Sequence, residues 1–192
     1  MRRSLHVVLS LILCCASAAL LLQASGEEKE KKKKQREEYN ATAIVTSGGA
    51  SMVSFTILID SFTPDDEVLK LAEILKAQGP DTLAKAVDKT QRGRIAPVGR
   101  IGNDINVARS FQTEKGRVIR LVSNRPLGFL ELRRGGRSVD YQFSVIELTL
   151  NEKGEGEGVA LGAAKIKFNK DNRLEVENYG QSAIRITNVH RF

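Results

Sequence analysis

A mainly β fold, an antiparallel barrel or sandwich of about ten strands with one helical hairpin inserted after the second, is what this sequence predicts. Three observations carry that expectation. Short runs rich in Val, Ile, Phe and Thr alternate apolar with polar residues, the period-2 signature of half-buried strands. Brief Gly-, Asn- and charge-rich breaks separate the runs, which favours antiparallel neighbours, because parallel strands need long crossovers. A helical period shows only over residues 63–88. Closing a sheet on itself, or stacking two, buries that many strands without open edges.

The first element, "YNATAIVTSGGASMVSFTILIDSF", reads as a hairpin. Gly48-Gly49 suits a two-residue turn with positive φ, a register that sets Ile44 opposite Val53. Val53, Phe55, Ile57 and Ile59 alternate onto one face, toward the core. In "TPDDEVLKLAEILKAQGP", Thr63 or Asp65 is placed to cap a helix, and Asp65, Asp66 and Glu67 suit its positive end. Val68, Leu71, Ala72 and Leu75 form its apolar face; Gly79 ends it, and Pro80 opens a second helix with Leu83 and Val87 inward.

Strands and turns follow. "DINVARSFQ" alternates Ile105, Val107 and Phe111 inward, "TEKGR" turns, and "RVIRLVSN" returns. "NRPLGFLEL" reads as a strand with Pro126 at its start or edge, and "RRGGR" as a turn. "SVDYQFSVIELTLN" carries apolar residues at Val139, Tyr141, Phe143 and Val145, then on the opposite parity at Ile146, Leu148 and Leu150. That switch predicts a β-bulge near Val145 or a strand passing between sheets. "EKGEGEG" turns, and "VALGAAKIKF", "RLEVENY" and "AIRITNVHRF" complete the set. The small residues of "GVALGAAK" fit a curved strand or one beneath a helix.

Residues 1–26 read as a secretory signal peptide: Arg2 and Arg3, an apolar stretch over 5–22, then small residues at Ala24, Ser25 and Gly26. The rival reading is an uncleaved membrane anchor, since roughly 18 apolar residues can span a bilayer. Both cysteines, Cys14 and Cys15, lie in this segment, so the chain beyond it has no thiol for a disulfide or a metal. Export without disulfides leans toward a bacterial envelope protein, periplasmic or extracellular. Residues 27–38, "EEKEKKKKQREE", have no apolar side chain and read as a charged, disordered spacer, leaving 39–192 as one β-rich domain.

The charge is lopsided. Residues 92–137 hold ten arginines and one lysine against Asp104, Glu114 and Glu131, a net +8. Arginine's planar fork grips carboxylate and phosphate in a bidentate way. Candidate anion contacts are therefore Arg92, Arg94, Arg100, Arg109, Arg117, Arg120 and Arg125. Parity turns Arg109 and Arg117 inward and sets Arg120 with Val118 and Val122, and Glu131 and Glu147 are the expected partners of inward arginines. The bland alternative is that these arginines are only ion-paired within the fold.

Other chemistry has little support. His190 is the only histidine beyond the leader, so no metal and no cofactor is implied. Asp140 and Glu147 are the one carboxylate pair considered for acid–base work, and the "GEGEG" run lacks the lysine and helix of a phosphate loop. Few aromatics and no recognition motif exclude a nucleic-acid binder. The leading expectation is an exported, non-catalytic binding module whose arginines meet an anionic lipid, glycan or acidic protein. A small exported enzyme using carboxylates and a structural part of an envelope assembly are the alternatives.

Overall fold

The computed structural model describes residues 36–45, 51–128, 140–179 and 183–192. The chain divides into two units, Met1–Lys33 and Lys34–Phe192, and all of the described residues belong to the second. Ten antiparallel strands form a nearly closed barrel-like sheet, with a helical hairpin after the second strand. In chain order these are β1 (Glu37–Val45), β2 (Ser51–Ile59), α1 (Asp65–Gln78), α2 (Pro80–Val87), β3 (Gly93–Pro97), β4 (Asn103–Ile105), β5 (Val107–Thr113), β6 (Gly116–Ser123), β7 (Phe143–Leu150), β8 (Gly156–Phe168), β9 (Leu174–Asn178) and β10 (Ile184–Arg191). Neighbours run β4-β3-β2-β1-β10-β8-β7-β6-β5, with β9 on a further stretch of β8.

The two ends of that walk are joined by one residue. Asn106 lies between β4 and β5, is buried, and donates its backbone N–H to Val122 O on β6 (2.8 Å). Its side-chain amide donates to Val87 O (2.9 Å) and Thr90 O (2.8 Å) and accepts from Asn124 N (2.9 Å). Every amide position has a partner, so a buried polar group becomes a clasp between barrel and helices. The outer edge of β5 is tied by Thr63, whose N–H donates to Ala108 O (2.8 Å) and whose Oγ1 accepts from Ala108 N (3.0 Å). Thr63 is therefore not the helix cap the sequence predicts. Pro64 holds that position without a side-chain cap bond, and Asp65 is the first helical residue.

The barrel interior is built from strand alternation. One inward row runs Ala108, Leu121, Ile146, Ala160 and Ile184 across five strands, all buried. The adjoining outward row runs Arg109, Arg120, Glu147, Val159 and Arg185. A second apolar cluster forms on the barrel's outer wall, where Leu75, Leu83, Ala84 and Val87 of the helices pack on Phe143 and Ile166. Gly79 (φ 81°) makes the turn between the helices, and Pro80 starts the second, as the sequence predicts.

Four sequence expectations need correction. The β1–β2 register pairs Ala43, not Ile44, with Val53, and sets Val45 opposite Ser51, one step from the register of a two-residue turn; the Gly48-Gly49 turn itself lies outside the described residues. The small Ala41 and Ala43 thus face inward, and a one-residue slip would have turned the whole strand over. β1 also begins at Glu37, inside the stretch read as spacer. The arginine-rich stretch after the helices contains two short strands, β3 and β4, that alternation over so few residues does not reveal. The strand break at Asn106 restarts the alternation, so Ile105 and Ala108 are buried inside the barrel while Val107 packs beneath the helices; Arg109 and Phe111 follow Val107 outward.

The irregularity expected near Val145 is present, between Phe143 and Val145 in the pairing with β8, but it is not what switches the parity in β7. Pairing of β7 with β6 is unbroken from Ser144 to Leu150, so β7 keeps strict alternation. Phe143 and Val145 are apolar because the helices cover the outer wall there; further on, the outward positions are Glu147 and Thr149. The register irregularity falls on β8, where Leu161 to Ala164 oppose Val145 to Phe143, and the small residues of "GVALGAAK" lie at that bend. Asn124 to Gly128 are bends and turn rather than strand, with Leu127 buried against the core; the rest of "NRPLGFLEL" and the "RRGGR" turn lie outside the described residues.

Candidate functional site

One end of the barrel is formed by the start of β1, the ends of β5, β7 and β10 and the start of β6. Strand parity there points four polar side chains at one another. Glu37 is buried at the first position of β1. Tyr39 Oη donates to Glu37 Oε2 (2.8 Å), and Arg117 Nη1 donates to Glu37 Oε1 from across the barrel (3.0 Å). Arg117 Nε is held by Ser110 Oγ (2.8 Å), and its guanidinium lies over the Phe62 ring at 5.3 Å. Arg191 Nη2 approaches Glu37 Oε1 at 3.7 Å. The Tyr39 hydroxyl is pushed up to about 12, first by burial and then by its bond to Glu37 and that carboxylate's charge; Arg117 and Arg191 oppose the rise.

A cavity of about 300 Å³ opens beside this cluster, lined by Tyr39, Gln112, Arg117, Leu150, Lys153 and Arg191 among others. Two guanidiniums meet one buried carboxylate, so the inner wall carries one surplus positive charge. Arg117 Nη2 and the whole Arg191 fork form no hydrogen bond among the described residues, nor does the Gln112 amide. The glycine-rich turn positions Arg191. Gly154 has φ 78°, accepts Arg191 N at 3.1 Å, and leaves so little room that a Cβ would stand 2.8 Å from Arg191 Cβ. "GEGEG" is thus a packing surface for an arginine, not a phosphate loop.

The seven predicted arginines do not gather into one face. Arg92 pairs with Glu67, and Arg109 with Asp65 (2.6 Å) and Thr63 O (2.9 Å), so both pin the start of α1 to the barrel. Arg120 pairs with Glu147 (2.5 Å), on the barrel's outer face rather than as the inward pair expected of Glu147, and Arg94 lies 4.0 Å from Asp104. Arg109 and Arg120 also flank the outward ring of Phe111, at 5.5 and 5.4 Å. Arg100 and Arg125 are exposed at the opposite end of the barrel, with no side-chain partner among the described residues. Arg117 alone points inward, and its acid is Glu37 rather than Glu147; Glu131 lies outside the described residues.

The sequence reading missed Glu37 and Arg191. Glu37 was hidden in the charged run, although Glu37, Tyr39, Ala41, Ala43 and Val45 continue one alternation. Arg191 lies outside the basic window and ends the last strand. The carboxylates considered for acid–base work do not converge: Asp140 pairs with Lys165 (3.5 Å), Glu147 with Arg120. His190 is exposed, its ring beside Phe192. A separate polar group on β8–β9 has Tyr141 Oη (2.5 Å) and Lys167 Nζ (2.7 Å) donating to Glu177, whose carboxyl they hold below its ordinary range. Among the described residues no cluster of His, Cys, Asp or Glu is suited to a metal, and no helix is long and apolar enough to cross a membrane.

Fold and site together define a class: a small antiparallel β-barrel, strapped on one side by a helical hairpin, with a basic polar cavity at one end. Comparison with protein-family models, with curated proteins and with solved structures gave no match to this chain.

Proposed function

We propose that the chain is an exported, non-catalytic binding module that receives an anionic group in its end cavity. The observation that carries this reading is the convergence of Arg117 and Arg191 on a single buried carboxylate beside an open cavity of about 300 Å³. Glu37 acts as a fixed counter-ion: it holds Arg117 in place without neutralising both cations. An incoming anion would gain charge-assisted hydrogen bonds from the unused guanidinium edges. The n-region, apolar stretch and small-residue exit of residues 1–26 support export.

A salt-titrated binding assay on the full chain, against anionic and neutral lipid vesicles and acidic glycans, tests the reading. Binding of an anionic member that falls as salt rises, and that is lost in Arg117→Gln but kept in Arg100→Gln and Arg125→Gln, is the expected result. Equal loss in all three variants would assign binding to diffuse surface charge instead.

A second reading, a structural part of an envelope assembly, draws on β9, where Leu174 and Val176 are exposed on a strand that pairs only with β8 among the described residues. A concentration-independent monomer in sedimentation velocity would exclude it.

A further inference from the structure

Resting on the anion-binding reading, we infer that the ligand of the end cavity is a small hydroxylated monocarboxylic acid, a sugar acid in chemical class. Its carboxylate would sit on Arg117 and Arg191, and its hydroxyls on Gln112 and the turn around Lys153. Charge is the first argument. The inner wall offers two guanidiniums against the Glu37 carboxylate, a surplus of one. One carboxylate balances it. A phosphate near its dianionic state would be undercompensated and would face Glu37 at close range. Lys153 at the mouth is offset by Glu152, which also lines the cavity.

The lining is the second argument. Among the described residues that line it, Leu150 is the only one with a purely aliphatic side chain, so an alkyl tail would meet amide and charged groups beside what apolar surface the Tyr39 ring and the arginine and lysine stems provide. Gln112 offers a donor and an acceptor with no partner among the described residues, and the Glu152 carboxylate can accept from a hydroxyl. Size is the third. About 300 Å³ lies at the lower end of small-molecule sites, which run from roughly 300 to 1,000 Å³, so one sugar-sized molecule fits and a chain of them does not.

The test is calorimetric titration of the full chain at low ionic strength with D-glucuronate, D-glucose, hexanoate and inorganic phosphate. Arg191→Gln and Gln112→Ala are compared with the parent. Arg191 and Gln112 both pair through their backbones in β10 and β5, so the fold is retained, and thermal unfolding checks that it is. Glucuronate should bind about tenfold or more tighter than hexanoate or phosphate, and glucose should not bind. Arg191→Gln should weaken glucuronate by about tenfold. Gln112→Ala should weaken glucuronate while leaving the weak binding of hexanoate unchanged. Phosphate or hexanoate binding as tightly as glucuronate would overturn the sugar-acid assignment and leave the anion site standing. No binding of any anion, or binding indifferent to Arg191→Gln, would overturn both.

Discussion

Replacing Asn106 by alanine should cost the barrel far more than the loss of one small side chain elsewhere. The substitution removes three side-chain hydrogen bonds, to Val87 O, to Thr90 O and from Asn124 N. The site is buried, so Thr90 O and Asn124 N lose their partner where water has poor access, while Val87 O keeps its bonds from Thr90 N and Thr90 Oγ1. At about 1 kcal/mol for each bond, and more where a group stays unsatisfied, the loss is about 3 kcal/mol. For a domain of this size that lowers Tm by roughly 6–12 °C, at about 2–4 °C per kcal/mol. Asn106→Asp should be worse at neutral pH: it keeps the acceptor for Asn124 but sets a carboxylate oxygen against the Val87 and Thr90 carbonyls. Thermal unfolding followed by circular dichroism, with urea titration for the free energy, measures both. A loss below about 1 kcal/mol for alanine, within reach of a single ordinary hydrogen bond, or aspartate milder than alanine, would refute the clasp and leave the strand ladder as the sole closure.

Three further expectations follow from the same structure. Arg117→Met leaves the buried Glu37 with Tyr39 and with Arg191 at 3.7 Å, outside hydrogen-bond reach, and should cost about 2–4 kcal/mol, part of which Glu37→Gln restores in the double variant; additive losses in urea titration would show that the pair is not coupled. Because burial raises the Tyr39 hydroxyl to about 12, its neutral form contributes stability that is complete below pH 10 and is lost as pH rises from 10 toward 12. Absorbance titration of the phenolates should show a late step that Tyr39→Phe diminishes, the remainder belonging to Tyr141, which its bond to Glu177 also raises, and a late step of equal size in both proteins would contradict it. Phe143→Ala opens the cluster between helices and barrel and should cost about 3–5 kcal/mol; loss of helical signal before strand signal on heating would mark the hairpin as the weaker layer.

What the sequence allowed to be read was set by how far each pattern runs. Helices α1 and α2 were legible because Val68, Leu71, Leu75, Leu83 and Val87 repeat at helical spacing between Pro and Gly signals. Arg117 could be turned inward because Ile119 and Leu121 share its parity over an unbroken strand. Parity turned Arg109 inward wrongly, because Asn106 resets the alternation three residues earlier, and a single Asn carries no local sign that it is buried. The apolar positions of β7 misled for a related reason. Alternation records which face is covered, not by what, and here two different cores cover opposite faces of one strand. Glu37 and Arg191 stand at the outer ends of β1 and β10, 154 positions apart in the chain. Only the closing of the sheet brings them to the same carboxylate cluster.

That closing has a thermodynamic side. The chain from β5 to β9 pairs each strand with the next, and β10 returns to β8 on the edge opposite β7; the chain from β1 to β4 likewise pairs each strand with the next apart from the inserted helices, and the two halves meet at Asn106 and again where β1 pairs with β10. Asn106 joins neighbours in sequence and asks almost nothing of chain entropy, whereas the β1–β10 seam closes the longest loop in the domain. The end cavity straddles that seam: Glu37 and Tyr39 stand on one side, Arg191 on the other. Any transient parting of β1 from β10 therefore dismantles the binding site, and an occupant must hold the seam shut by the full free energy of its own binding. Amide protons along Tyr39 to Ile44 become the reporter, and their exchange should slow in proportion to ligand occupancy while those of the β5–β6 hairpin do not.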